Sequence, residues 1–402
     1  VTKASEVDIA VVGGGLVGTP LAIMLARLGW SVALLEQHNT KQVAKSTRVT
    51  TDTKADVRSK GFTALSASTV NALDNHQLWH KASVDASAIR QVHVSHKGYF
   101  GSTVIDSESY SFAALGQVVD NAAFLTSFDS GLQSSSIIQL TGATVNQVQY
   151  EQDAASVHYH RDNQTHQLRC RLVIAVDGVS SSLRDAAGIA TKHTDYDQVG
   201  VLGVVKLSQA HQQVAYERFT PTGPLALLPR PNDHASFVYC INPDQREALA
   251  SMNDTEFLNE LQEVFGFRLG RFLSVGQRFF TPLLRIEAAQ QVGPRLLLMG
   301  NAMRLLHPVA GQGYNLAMRD VVCLLDILKD TQSDPGEVNT LNAFAQSRMD
   351  DHKAVVRMTD ALARTFRGSA APIAHMRALG LLGLDRIPAL KDRFAQHSMG
   401  HR

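Results

Sequence analysis

The 402-residue sequence predicts an α/β fold: a parallel-sheet domain built from separated stretches of chain, a β-sheet domain inserted into it, and a helical C-terminal segment. Three observations predict it. A β-branched run at 7–12 leads directly into closely spaced glycines and an amphipathic stretch. Two more short apolar runs, at 172–176 and 295–300, lead into glycine-bearing turns much later in the chain. Between those two, residues 200–285 alternate or run apolar in strand-length pieces.

Composition narrows the function classes. At about 150 residues per domain the length suggests two to three domains. Lys and Arg number 38 against 37 Asp and Glu, so there is no basic surplus to neutralise phosphates, and nucleic acid is not expected as a partner. With 44% hydrophobic residues and a net charge of +1, a disordered chain is excluded. The three cysteines form no C-x-x-C pair, which fits a reducing compartment. The first residues lack a secretory apolar region, and the longest apolar runs, near Leu21 to Ala26, fall far short of the roughly 20 residues that span a bilayer. A cytoplasmic protein is expected, at most peripheral at the inner membrane face. The histidines show no metal-ligand spacing, so no metal is expected.

The first element, VDIAVV, reads as a buried parallel strand. Gly13-Gly14-Gly15-Leu16-Val17-Gly18 then matches G-x-G-x-x-G, and Leu21, Met24, Leu25 and Leu28 share one helical face up to Gly29. A second strand ends at Glu36. Gly13 permits the tight turn, Gly15 lets backbone amides approach a pyrophosphate, and Gly18 lets the helix pack on the strand. The helix N-terminus offers free N–H groups to phosphates. An acid at position 36 accepts ribose hydroxyls and disfavours a 2′-phosphate, so FAD or NAD is expected rather than NADP. Strand, glycines, helix, strand and acid in this order predict a Rossmann-like dinucleotide site.

In the middle of the chain, Asp177-Gly178 follows a strand and enters a Ser-rich turn. Asp177 is either a ligand at the strand's carboxyl end or a helix N-cap with Arg184 as a surface cation. Late in the chain, RLLLMG is followed by Asn301, His307-Pro308, Gly311-Gln312-Gly313 and a helix from Asn315 onward. That is a second anion-friendly helix N-terminus. One nucleotide site drawn from near residues 13, 177 and 300 excludes the contiguous dinucleotide domain of a simple NAD-dependent dehydrogenase.

These motifs resemble the FAD-dependent aromatic hydroxylases of the para-hydroxybenzoate hydroxylase fold. The family's D-G-x-x-S-x-x-R stands here as Asp177-Gly178-x-x-Ser181-x-x-Arg184, and its H-P-x-x-G-Q-G as His307-Pro308-x-x-Gly311-Gln312-Gly313. The resemblance runs from about residue 7 to 395. The stretches Val92-His93-Val94-Ser95, Ala114 to Val119, Glu217-Arg218-Phe219-Thr220, Gly223-Pro224-Leu225-Ala226 and Gly300-Asn301-Ala302 resemble the ubiquinone-biosynthesis branch, and within it the hydroxylases of 2-polyprenyl-6-methoxyphenol.

The resemblance implies a Rossmann-like FAD-binding domain over 1–75, 100–185 and 285–334, a substrate domain over 76–99 and 186–284, and a C-terminal segment over 335–402. It implies FAD contacts from the Gly13–Gly18 loop, Glu36, Asp177, Gly178, Gly300 and Asn301, the last replacing a family Asp on the ribityl chain. Gln117 matches a ribityl or phosphate contact, and Val145 one at the adenine. Amides around Gly311, Gln312 and Gly313, with Asn315, would face the flavin's N1 and O2, and Pro308 its C4a side. His307 is either a base for the phenol or a structural His before Pro. Where the family has an Arg this chain has Gly61, leaving Arg58 or Lys60 as stand-ins.

The implied reaction is ring hydroxylation of a polyprenylated phenol by O2 through a flavin C4a-hydroperoxide. No second dinucleotide fingerprint is present, so NAD(P)H or another electron donor would act transiently. Phe219, Leu227, Pro229, Phe237 and Tyr239 are the substrate-contact candidates. In the C-terminal segment, Leu381, Leu382, Leu384 and Ile387 lie beside Arg377, Arg386 and Lys391. This is either a helix packed on the FAD domain or a contact for a membrane surface or sister enzymes of quinone synthesis. The rivals are the same chemistry on a small soluble aromatic and a non-catalytic FAD-binding assembly factor.

Overall fold

The computed structural model describes residues 5–38, 61–80, 85–110, 112–330 and 334–365, with part of 380–392. Its first sheet has a parallel core in the order Leu296–Leu298, Gln164–Ala175, Ser5–Val12, Val32–Glu36, Ile138–Thr141. Strands distant in sequence are therefore neighbours, as the split fingerprints require. The β-branched and Leu-rich runs form them because both faces are covered. Ile9, Val11, Leu172, Ile174 and Leu297 pack under the helix Gly18–Arg27 and the long helix Gln312–Lys329. Val7, Ala10, Val173 and Leu298 fill the other side.

A second sheet of nine strands includes the run Phe279–Ala288, Thr191–Leu207, His234–Ile241, Gly223–Arg230, Val214–Thr220, Gln91–His96 and Ser102–Asp106. Most of its strands fall within 186–284. Gln91–His96 and Ser102–Asp106 pair with each other and join it from earlier in the chain, on both sides of residue 99. One face of this sheet is covered by the helix Asp254–Phe265, whose Phe257, Leu261, Val264 and Phe265 pack on Leu225, Leu227, Phe237 and Tyr239. That helix starts at an Asn253/Glu256 capping box. A third, small sheet pairs Phe62–Ser66 and Ser87–Ile89 with Gly116–Asp120.

The C-terminal part begins with the helix Val338–Thr365, which lies on Gln312–Lys329. Buried charges join the two helices. Arg348 meets Asp320 at 2.6 Å, Arg319 meets Asp351 at 3.0 Å, and His352 meets Asp320 at 2.8 Å. Removing one partner would strand a buried charge, so this network fixes the pairing of the helices more than it adds stability.

Candidate functional site

Register brings the dispersed fingerprints together. Val12 lies opposite both Leu35 and Ala175, and Ala175 opposite Leu298. The Gly13 loop, Glu36, Asp177 and Gly300 thus leave the sheet at one carboxyl-end rim, where open α/β sheets bind ligands. Gly13 has φ +113°, and a Cβ there would sit 2.5 Å from the Val176 carbonyl. A Cβ on Gly18 would collide with the Gly13 carbonyl. Gly15 differs: nothing lies within 4 Å of its Cβ position, leaving a cradle open to a ligand.

A cavity of about 160 Å³ is lined by Gly13–Gly15, Glu36, Val145 and Asp177. Glu36 accepts the Gly14 amide on Oε2 at 2.5 Å, while Oε1 meets the His38 amide at 2.8 Å and the His38 ring Nδ1 at 3.0 Å, which leaves a lone pair on Oε2 for a ribose. Asp177 Oδ2 faces Ser182 Oγ at 3.4 Å, while its buried Oδ1 has no partner. Gln117 Oε1, in the small sheet, is likewise buried and unpaired. Buried polar atoms without partners are rare in a folded chain and are what a polar ligand would satisfy. The residues present fit a dinucleotide.

Ser181, not Asp177, caps the helix Ser182–Ala186, accepting the Arg184 amide at 3.1 Å. Arg184 is no surface cation. It is buried and donates to the carbonyls of Val179 at 3.0 Å and Ala302 at 3.2 Å, tying the middle motif to the late one. A Cβ on Gly300 (φ +57°) would lie 3.6 Å from Val17, and Asn301 beside it is exposed at the rim.

A second cavity, of about 340 Å³, lies between the inserted sheet and the turn Pro308–Gly313. Ala310 and Gly311 are both left-handed, at φ 60° and 57°, and turn the chain into the helix Gln312–Lys329. Gly313 has open space where a Cβ would be. The helix's free amides therefore border the cavity. Tyr314 lines it too and donates its hydroxyl to the Leu16 carbonyl at 3.1 Å, linking this cavity to the glycine loop. Burial pushes its phenol far up. Nothing local in the sequence singles out Tyr314 for this link.

Two expected roles are corrected. His307 is 1% exposed and stands outside the cavity wall. Its Nδ1 accepts the Val309 amide at 3.1 Å, its ring packs edge-on against Tyr196, and burial lowers its pKa to about 4. Its Nε2 is buried without a partner, burial favours the neutral ring, and the side chain is enclosed away from the cavity where a phenol would need a base. Asn315 has every hydrogen-bonding site filled by protein and so is not free for a cofactor.

The substrate candidates are corrected by strand alternation. Leu227, Phe237 and Tyr239, with Pro229 at the same phase, face the core under the helix Asp254–Phe265. The cavity is lined by their alternates, Pro224, Ala226, Leu228, Val238 and Cys240. Phe219 has the cavity-side phase but packs on Val94 and Val309. On its strand the cavity is reached by Ala215, Tyr216 and Glu217, and Glu217 is the one carboxylate among them. The alternation of VAYERFT carries that signal: a carboxylate between Ala215 and Phe219 on a face otherwise apolar.

Arg58, Lys60, Arg377, Leu381 and Leu384 lie outside the described residues. Leu382 and Ile387 are exposed. Their segment also touches the second sheet, where Asp385 accepts Thr103 Oγ1 at 3.2 Å, and the helical turn after it, where Asp392 accepts the Tyr110 hydroxyl at 3.1 Å. Among the described residues no helix is long and apolar enough to cross a membrane, and no cluster of potential metal ligands occurs.

Comparison with known proteins agrees with this geometry. The model of the FAD binding domain family matches residues 6–359. The ubiquinone hydroxylase UbiL of Rhodospirillum rubrum is 31% identical over 98% of this chain and 89% of its own. The 3-demethoxyubiquinol 3-hydroxylase of Escherichia coli is 30% identical over 98% of both. Among solved structures, p-nitrophenol 4-monooxygenase PnpA of Pseudomonas putida superposes with a TM-score of 0.77 over 99% of each chain, at 16% identity, a likeness of fold. The chain belongs to the FAD binding domain family of flavoprotein aromatic hydroxylases, alongside the hydroxylases of ubiquinone biosynthesis.

Proposed function

We propose that this chain hydroxylates the ring of a polyprenylated phenol in ubiquinone biosynthesis. The observation that carries the reading is the 340 Å³ cavity, whose described lining contains no Lys, Arg or His. A small aromatic acid would bring a carboxylate into that space with no cation to meet it, a large desolvation cost. An apolar-tailed phenol brings no such charge. The relatives in ubiquinone biosynthesis support the same choice.

FAD, when bound, supplies the activation of O2, with electrons from NAD(P)H or another transient donor. The protein supplies position and electrostatics. Gly13–Gly18, with Leu16 and Val17, would hold the pyrophosphate and Glu36 the ribose. Val145 would lie at the adenine, and Gln117, Asp177, Gly178, Gly300 and Asn301 along the linking chain. The amides at Gly311, Gln312 and Gly313 would steady negative charge on the ring system. Pro308 and Val309 would exclude water from the ring-facing wall. We assign the exposed Leu382 and Ile387, beside Arg386 and Lys391, to a membrane surface or a sister enzyme, where the substrate's tail resides.

Quinone-lipid analysis of a deletion strain tests this. The expected result is loss of ubiquinone with accumulation of a polyprenylated phenol lacking one ring hydroxyl, restored by the wild-type gene. An unchanged quinone pool, with failure to use a small aromatic acid, would favour the soluble-substrate rival. Restoration by a variant that cannot bind FAD would favour the assembly factor.

A further inference from the structure

Glu217 is a carboxylate on an otherwise apolar wall. It sits on the strand Val214–Thr220, opposite Val94 on one neighbouring strand and Ala226 on the other. It borders the same cavity as Pro308, Gly311 and Gly313. Among the described residues it has no hydrogen-bonding or ion-pair partner. Arg218, next in sequence, has the opposite phase and donates to the Val264 carbonyl.

We infer that the Glu217 carboxylate is the proton acceptor for the hydroxyl of the bound phenol, which rests on the hydroxylase reading above. The phenol O–H bond breaks, its electron pair stays on oxygen, and the proton goes to a Glu217 carboxylate oxygen. The resulting phenolate donates electron density into the ring at the carbons to be oxygenated. No external co-reactant is needed for this transfer.

The other titratable groups lining the cavity are Tyr216, Cys240 and Tyr314. Burial raises all three, so none is a base near neutrality. From the neighbouring strands, Val92, Val94, Pro224, Ala226, Leu228 and Val238 face Glu217 without charge. On that face the ionisable groups nearest it are Cys240 and the buried His96, which lies opposite Phe219 on the neighbouring strand, and the turn Pro308–Gly313 brings none. Enclosure by this surface raises the Glu217 carboxyl to about 7. A general base works best with a pKa close to the working pH. An unpaired buried carboxyl costs stability, and a merely structural residue there would be apolar.

The test uses the FAD-loaded full chain and a phenol with a short prenyl tail as probe. The wild type should lose kcat about tenfold per unit as pH falls below about 7. E217Q should lower kcat at least about 100-fold and lose that limb, with flavin content and probe affinity kept. E217D should keep the limb. A fluorinated phenol already ionised at the assay pH should be almost indifferent to E217Q. In the cofactor-free protein, an infrared carboxylic-acid band titrating near 7 should vanish in E217Q. Equal kcat and pH profile in wild type and E217Q would overturn the inference. Should E217Q not fold, a wild type lacking the acidic limb overturns it equally. If the wild type turns over no phenol at all, the hydroxylase reading fails instead.

Discussion

The backbone amide of Ser66 donates to Oδ1 of Asn315 at 2.8 Å, joining the small sheet to the helix that borders the cavity. The same oxygen accepts Thr69 Oγ1 at 2.9 Å, and Nδ2 donates to the carbonyls of Ala64 at 3.0 Å and Gly311 at 2.9 Å. Two lone pairs and two N–H groups are all used. Asn315 therefore holds the left-handed turn at Gly311 against the strand Phe62–Ser66, fixing one wall of the cavity without touching a ligand.

Asn315→Leu would leave several of these buried groups unpaired, at about 1–3 kcal/mol each. The expected outcome is a loss of at least about 2 kcal/mol in denaturant unfolding of the cofactor-free protein. Unchanged stability without FAD would return Asn315 to the list of cofactor ligands.

Much of this was legible in the sequence. The three fingerprints assemble at one rim because β-branched runs and flanking glycines encode strand ends locally. The inserted sheet was legible too, but its facing was not. Leu227 and Leu228, or Phe237 and Val238, are equally apolar neighbours, and only the helix covering one side decides which of each pair meets the cavity. His307 and Asn315 misled for another reason. Both stand in a motif full of ligand-type residues, yet His307 gives Nδ1 to the Val309 amide and lies away from the cavity lining, and Asn315 is used up by Ser66, Thr69, Ala64 and Gly311, three of them about 250 positions away. Arg184 reads as a surface cation because nothing local announces the Ala302 carbonyl.

Gly15 and Gly18 should fail differently. Gly15→Val points into open space and should fold with wild-type circular dichroism while losing bound flavin. Gly18→Val meets the Gly13 carbonyl and should fail to fold or unfold at much lower temperature. A yellow, fully loaded Gly15→Val protein would contradict the pyrophosphate placement.

Asn301→Asp should bind FAD nearly as the wild type does, since it keeps an acceptor at the rim. Asn301→Leu removes both polar atoms, and a cost of about 1–3 kcal/mol corresponds to roughly 5- to 150-fold in Kd. Flavin fluorescence titration of the three proteins reads this directly, and equal affinities would remove Asn301 from the site.

His307 makes stability depend on acid. Its folded pKa, about 4, lies below the ordinary 6.5, so the unfolded chain binds its proton more readily. Its contribution is complete above about pH 6.5 and is lost as pH falls from there towards 4, about 3 kcal/mol in all. His307→Asn keeps an acceptor for the Val309 amide and should flatten that part of the stability curve without abolishing hydroxylation. Loss of turnover in a folded, flavin-loaded His307→Asn protein would restore it as a base.

Oxygen-isotope labelling of the product tests ring hydroxylation of a prenylated phenol directly. FAD-loaded protein, a reductant, ¹⁸O2 and a short-tailed prenylated phenol should yield a ring-hydroxylated phenol carrying one labelled oxygen by mass spectrometry, while a hydroxybenzoate goes unreacted. Reductant consumption with hydrogen peroxide as the sole oxygen product, or labelled product from the hydroxybenzoate and none from the prenylated phenol, would contradict it.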